Sequence, residues 1–413
     1  MHIRMAVISD LHVGSGTKAK DFSLPGSDIA SVDNYLDKFK DFVNKEDIRA
    51  DYLLVPGDIT HRAGKDEFSL AAKNIELIAE ALGVDRGKIV FCPGNHDVHW
   101  DTAEQMASLG HTEPYLTKSK FLNLTSEPRL FGNNMGLGQG RFDEYPFFVT
   151  WEFDNVVFFS LNTAVFDGRD RRPHCGEVKP DQLAAIDAEL SSISTGSKLK
   201  VCLFHHHPIQ YLERTFTEPD FSIMVNAVGL LDLLSKHQVD FIVHGHKHIP
   251  RFKMEINTSG HPLSILCAGS FSAYLDNKYF ESVGNRFHVI QFDERCPLSN
   301  FARGTVNTWT FFLGSGWTRS TRGPDAERQH NFGAFLPRPQ LIERLSVALS
   351  EILGVTDYAT WESFLDAYPE FKYHTNESLR AALKLVGQQS DLVMHEIESL
   401  NLDQLVILKG QPK

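Results

Sequence analysis

Five short apolar runs in this chain each end in side chains that can bind a cation or move a proton. MAVISDLH closes on Asp10 and His12, and ADYLLVPGD closes on Gly57 and Asp58. KIVFCPGNHD closes on Gly94, Asn95, His96 and Asp97. KVCLFHHHP ends in His205, His206 and His207, and VDFIVHGHKH carries His244, His246 and His248. Taken singly these are weak signals: Asp-x-His is a strand end with a histidine, and Pro-Gly-Asp is a turn. His-x-His is stronger, because alternate residues of an extended segment share one side and can grip one metal together. Five such endings in one chain point to a metal site. A set of imidazoles, carboxylates and one amide suits manganese, iron, zinc or nickel better than magnesium, which prefers oxygen alone.

The elements that must position these groups follow from the same runs. Each run is short, continuous and rich in β-formers, the pattern of a strand buried on both faces. Helical periodicity lies between them. In SVDNYLDKFKDFVNKED, Val32, Tyr35, Leu36, Phe39, Phe42 and Val43 fall at i, i+3, i+4, i+7, i+10 and i+11. KPDQLAAIDAEL and NAVGLLDLLSKHQ repeat the pattern. Strands alternating with helices predict a layered α/β domain, with ligand-binding loops at the carboxyl ends of the strands. FFVTWEFDNVVFFSLNT predicts a hairpin turning at Asp154 and Asn155, and LSILCAGSFSAY and NRFHVIQFD read as further strands that suggest a second sheet. The catalytic domain is expected over residues 1–297, with an insertion at 98–147 that could serve as a lid. An aromatic and basic connecting segment is expected at 298–337, and a small helical module at 338–413.

Composition narrows the function classes. The chain has 413 residues, 42% of them hydrophobic, enough for one large core and a smaller domain. Its net charge of −12 argues against binding duplex nucleic acid through bulk electrostatics. The start of the sequence lacks the apolar stretch of a signal peptide, and no run of 18 apolar residues exists to span a membrane. The five cysteines are scattered and include no Cys-x-x-Cys, which predicts reduced thiols in a cytoplasmic protein.

The ordered set DLH, GD, GNHD, HHP and GHKH resembles the calcineurin-like metallophosphoesterase superfamily, over roughly residues 3–290. The resemblance implies a four-layer α-β-β-α sandwich, two mixed sheets flanked by helices, with a two-metal site at one edge. It implies that Asp10 and His12 hold one metal, that Asp58 bridges both, and that Asn95 holds the second. The family's fourth motif, His-x-Pro, selects His206, with His205 and His207 as neighbours. Its last motif, Gly-His-x-His, selects His246 for the second metal and His248 for the first; a rival register uses His244 and His246. His96 is implied to face the phosphate and protonate the leaving group, with Asp97 fixing the loop or orienting His96. Gly94 is expected to permit a tight turn beside the metals.

The reaction implied is hydrolysis of a phosphoester. Two divalent ions bring +4 and the two aspartates return −2, leaving charge for a hydroxide and a phosphate oxygen, so an acidic chain can still bind an anion. Metal charge also lowers the pKa of water into the neutral range. GDITHRA and GNHD differ from the GDxxDRG and GNHE of the superfamily's protein phosphatases, and His12 stands where no tyrosine ligand is then needed. The chain looks most like the bacterial class III cyclic-nucleotide phosphodiesterase branch, so a nucleotide or other small diester is the expected substrate. Arg169, Arg171 and Arg172 in FDGRDRRPHCGE are candidate contacts to it. A metal-dependent nuclease is the alternative enzyme. A partner-regulated effector, with another protein docked on the C-terminal helices, is the alternative of a different class.

Overall fold

The apolar runs become strands because nearly every residue in them is buried. IRMAV forms β1 (Ile3–Val7), YLLVP β2 (Tyr52–Pro56) and IVFC β3 (Ile89–Cys92). They are joined in parallel, Met5 opposite Tyr52 and Leu53 opposite Ile89. Next come β4 (Gly138–Gly140), β5 (Phe148–Glu152), β6 (Val156–Leu161), β7 (Leu199–Leu203), β8 (Phe241–His244), β9 (Arg251–Ile256) and β10 (Pro262–Cys267). The later strands are β11 (Asn285–Arg295), β12 (Ala302–Phe312), β13 (Gly316–Thr318) and β14 (Gln329–Phe332). The structure, a computed structural model, describes residues 2–14, 35–131, 138–168, 174–193, 198–211, 222–256, 259–275, 283–312, 314–319, 328–390, 392–396, 402 and 405–410.

Two compact units result. The larger comprises Arg4–Val289 and Trp309–Thr318; the other comprises Met1–Ile3, Ile290–Thr308 and Arg319–Lys413, so β11 and β12 have residues in both. The larger unit contains two large mixed sheets. One has the order β13-β12-β11-β1-β2-β3, the other β4-β5-β6-β7-β8-β10-β9. The β5–β6 hairpin turns where the sequence placed it, with Phe148 opposite Leu161. The sheets meet face to face: Tyr52 lies 5.0 Å from Phe158, Phe91 6.1 Å from Trp151, and the Ser160 hydroxyl donates to the Phe91 carbonyl at 2.6 Å.

Helices close the outer faces. α1 (Tyr35–Lys45) packs beside α2 (Lys65–Leu82). The α1 residue Phe39 meets Phe271 and Phe287, both at 5.0 Å. The chain then returns through Trp317, whose ring lies 5.4 Å from Phe39, 5.5 Å from Phe271 and 5.9 Å from Tyr35. The insertion at 98–147 contains α3 (Trp100–Ser108), α4 (Tyr115–Thr125), α5 (Pro128–Phe131) and β4, with Phe121 and Leu124 fully buried. On the second sheet, α6 (Pro180–Ser192) and α7 (Ala227–Lys236) bury Ile186, Leu190, Leu230 and Leu234 against Phe159, Phe204 and Ile265. Among the described residues no helix is long and apolar enough to cross a membrane.

In the other unit, α8 (Arg338–Val355), α9 (Trp361–Ala367) and α10 (Asn376–Gln389) lie within the segment expected to be helical. Leu345, Leu349, Phe364 and Leu383 form its core. The helical reading ends early, because α10 stops at Gln389. The chain adds a three-stranded sheet, β15-β17-β16, from β15 (Tyr358–Thr360), β16 (Leu392–Glu396) and β17 (Leu405–Lys409). In β17, Leu405 and Ile407 are buried while Val406 and Leu408 are less so, a period of two that a helix cannot satisfy.

Trp317 is the seal over α1. Its replacement by alanine is expected to destabilise the larger unit by about 3–5 kcal/mol, the range for truncating a large buried aromatic. Urea unfolding measures this, and a loss below about 1 kcal/mol would mean that the aromatic cluster closes without it.

Candidate metal centre

Five strands deliver the candidate ligands to one edge of the larger unit. β1 leads to Asp10 and His12, β2 to Asp58, β3 to Asn95 and His96, β7 to the three histidines, and β8 to His246 and His248. Backbone bonds fix the loops against each other. The Asp10 amide donates to the Gly57 carbonyl at 3.2 Å, the His12 amide to the Asp58 carbonyl at 3.0 Å, and the Gly245 amide to the His205 carbonyl at 3.1 Å. The Ser270 and Ser272 hydroxyls donate to the Asp10 and Leu11 carbonyls, each at 2.9 Å.

Ligand atoms of Asp10, His12, Asp58 and His248 lie within 4.8 Å of one another. His12 Nε2 is 3.2 Å from His248 Nε2 and 3.6 Å from Asp58 Oδ2, while His248 Nε2 is 3.3 Å from Asp10 Oδ1. Bond lengths of about 2.0–2.2 Å from one cation to N and O donors would set such donors roughly 3–4 Å apart. Beside this cluster, His246 Nδ1 lies 3.1 Å from Asn95 Oδ1, and the His246 amide donates to Asp10 Oδ1 at 3.1 Å. His244, the rival in the last motif, is turned away: its Nε2 lies 2.7 Å from the Tyr211 hydroxyl, and burial lowers its pKa to about 3.

The three-histidine run brings two buried imidazoles to the site. The structure sets His205 against Asp58, with the expected His206 as its neighbour. A carbonyl only accepts, so His205 Nδ1–H donates to the Pro56 carbonyl at 2.9 Å, and Nε2 is left 3.3 Å from Asp58 Oδ2 with no hydrogen-bond partner. A lone pair and a carboxylate oxygen that face each other in a buried site need a proton or a cation between them. Burial disfavours charge on His205, yet Asp58 outweighs it and pushes this pKa up to about 9. His206 pairs Nδ1 with the Thr163 hydroxyl at 2.8 Å, lies 4.8 Å ring to ring from His246, and also buries an Nε2 without a partner. Burial holds His12, His206 and His246 well below the ordinary histidine pKa, so their nitrogens are available as neutral donors. Orphaned buried nitrogens, neutral imidazoles and two convergent carboxylates together fit a bound metal.

Asp97 and His96 have separate tasks. The Asp97 carboxylate accepts from the amides of Ile59, Thr60 and Gly94 and from the Thr60 hydroxyl, at 2.8–3.1 Å. It therefore ties the two motif loops together and does not hold the His96 ring. That ring donates from Nδ1 to the His61 carbonyl at 2.9 Å and stacks on the His61 ring at 5.5 Å. This fixes the tautomer and leaves Nε2 as the reactive nitrogen. His61 follows Asp58 in a turn with no recognisable motif spacing, so no sequence pattern marks it. A cleft of about 460 Å³ opens here, lined by His61, Arg62, Asn95, His96, Val98, His99, Trp100 and Asp101. Arg169, Arg171 and Arg172 lie outside the described residues.

Gly94 is needed for space and not for a turn, since its φ of −108° suits any residue. A Cβ there would meet Asp58 Oδ1 at 2.2 Å and the Asp58 nitrogen at 2.4 Å. Gly94→Ala is therefore expected to displace Asp58, lower the metal content and cost about 1–3 kcal/mol by overpacking. Elemental analysis alongside thermal unfolding checks both effects; a variant with full metal content would show that the contact relaxes without cost to the site.

The calcineurin-like phosphoesterase family model matches residues 3–250, more than half of the chain. An uncharacterised metallophosphoesterase-like protein of Bacillus subtilis (strain 168) is 22% identical over 287 residues, covering 65% of this chain and 54% of that protein. A probable cyclic nucleotide phosphodiesterase of Xenorhabdus bovienii (strain SS-2004) is 32% identical over 98 residues, covering 24% of this chain and 36% of that protein. The chain thus spans about half or less of the length of these relatives. A purple acid phosphatase from yellow lupin aligns with a TM-score of 0.44 at 14% identity, over 75% of this chain and 52% of that one. With the family model matched over most of the larger unit, the chain belongs to the calcineurin-like phosphoesterase family.

Proposed function

We propose that the protein is a dinuclear metal-dependent phosphodiesterase acting on a nucleotide or another small diester. The observation that carries this reading is the position of Asp58, whose Oδ2 lies 3.6 Å from His12 Nε2 on one side and 3.3 Å from His205 Nε2 on the other. One carboxylate so placed can serve two cations. Asp10, His12, Asp58 and His248 would hold one; Asp58, Asn95, His246 and a histidine of the triple run would hold the other. For that histidine we favour His205, because the Pro56 carbonyl directs its Nε2 at Asp58. Bound cations supply Lewis-acid charge and lower the pKa of water.

The chain's own residues do the rest. His96 stands beside both candidate metal positions, its amide on Asp58 Oδ1 at 2.9 Å and its ring 4.6 Å from that of His12. With Nδ1 committed to the His61 carbonyl, a protonated Nε2 can donate to the leaving oxygen of an ester, help typically worth about 10²- to 10⁴-fold. Arg62 brings positive charge to the same cleft. Similarity over 24% of this chain to a probable cyclic nucleotide phosphodiesterase of Xenorhabdus bovienii supports a diester over a monoester.

The test is a panel of bis-p-nitrophenyl phosphate, p-nitrophenyl phosphate and single-stranded DNA with the Mn²⁺-loaded chain. Diester turnover well above monoester turnover is expected, and Asp58→Asn should abolish it. Preferential cleavage of DNA would favour the nuclease reading, and an inert chain would favour dependence on a partner. The ligand choice is read separately by metal counting. His205→Ala is expected to lose about one metal per chain and His206→Ala to keep both; the reverse result would restore the His-x-Pro assignment.

A further inference from the structure

Beyond the metals, the cleft holds one feature that hydrolysis of a phosphoester does not require. Most of its lining is polar: His61, Arg62, Asn95, His96, His99 and Asp101. Val98 and Trp100 are the apolar members; Val98 is buried, and Trp100 alone of the eight carries a large aromatic carbon surface. Its Nε1–H is buried in the protein, so the half-buried ring presents carbon surface to the cleft. The ring is also held rigid. His174 stacks on it at 4.8 Å and 13°, and His174 is anchored in turn by Nδ1 contacts of 2.9 and 3.0 Å to the Asp167 carboxylate. The backbone below is fixed by His99, which caps α3 by accepting from the Thr102 amide at 3.2 Å. The Trp100 and His96 ring centroids are 6.4 Å apart, a span that one sugar can bridge between a base and a phosphate. A volume of about 460 Å³ falls within the range of small-ligand sites.

We propose that Trp100 is a stacking platform for the nucleobase of the substrate, so that the diester cleaved here carries a nucleoside. The inference rests on the phosphodiesterase reading for its chemistry, and on the Trp100–His174 pair for its specificity. A preorganised aromatic face binds a planar base with little ordering cost, and such stacking contributes a sequence-tolerant gain for any base. An aliphatic ester group has no π face to stack on that ring, so it gains less from it than a base does.

Calorimetric titration of the Mn²⁺-loaded protein tests the proposal without turnover. The probes are adenosine 5′-monophosphate, phenyl phosphate and glycerol 3-phosphate. The nucleotide is expected to bind at least about tenfold more tightly than glycerol 3-phosphate, the order set by one base–aromatic contact, with phenyl phosphate between them. Trp100→Leu, which keeps apolar bulk but loses the aromatic face, should remove most of that advantage and leave glycerol 3-phosphate unchanged. Trp100→Phe should retain most of it. Both variants should keep the wild-type metal content, which separates a binding defect from misfolding. Equal affinities in the wild type, or an equal loss for all three probes in Trp100→Leu, would overturn the proposal. These outcomes differ from failure of the enzymatic reading, in which no diester is hydrolysed whatever the binding order.

Discussion

The structure of this site depends on one buried carboxylate. Asp58 is 2% exposed and offers one oxygen to the His96 amide and the other to both His12 and His205. Interactions at such a depth are much stronger than in water, so repulsion and attraction are both amplified. Burial alone would raise the Asp58 pKa, but His205, His96 and His12 outweigh it and hold the group well below the ordinary carboxylate range. The charge stays on the carboxylate, and the surrounding nitrogens must share a proton or a metal. Removing one partner leaves an uncompensated charge, so the ligands act as a set.

The backbone is strained to produce this set. Asp10, His12, Asp58, His246 and His248 all adopt positive φ, from 49° to 75°. That region costs a non-glycine residue roughly 1–2 kcal/mol. Five such residues at one sheet edge are tolerable only because the loops are tied down elsewhere, by Asp97 between the second and third motifs and by Ser270 and Ser272 on the first. Strain of this kind clusters at functional sites, where the surrounding structure over-determines the conformation. The glycines serve the same end: a Cβ on Gly57 would meet the His205 ring at 2.5 Å, and one on Gly245 would meet Asp10 Oδ2 at 2.5 Å.

Much of this was legible in the sequence, and the exceptions have physical causes. Strands buried on both faces read as unbroken apolar runs, so β1, β2, β3, β7 and β8 and the residues after them could be placed from pattern alone. The choice within His205–His207 could not, because three identical residues at a strand end carry no phase; the Pro56 carbonyl orients the His205 ring and the Thr163 hydroxyl the His206 ring, contacts that no residue pattern shows. His61 was hidden because its contribution to His96 is a main-chain carbonyl, which no residue type encodes. Nothing in the sequence around Trp100 marks it, because its stacking partner, His174, lies 74 positions away. β16 and β17 were missed because Leu392–Glu396 follows a strong helical pattern with a break of only two residues.

On the proposed reading, Asp58 joins two metal positions. A crystal of the Mn²⁺-loaded protein measured for anomalous scattering at the manganese edge tests it directly. Two peaks per chain are expected, about 3.5–4 Å apart, with Asp58 between them. One peak would contradict it, as would two peaks that do not share this carboxylate.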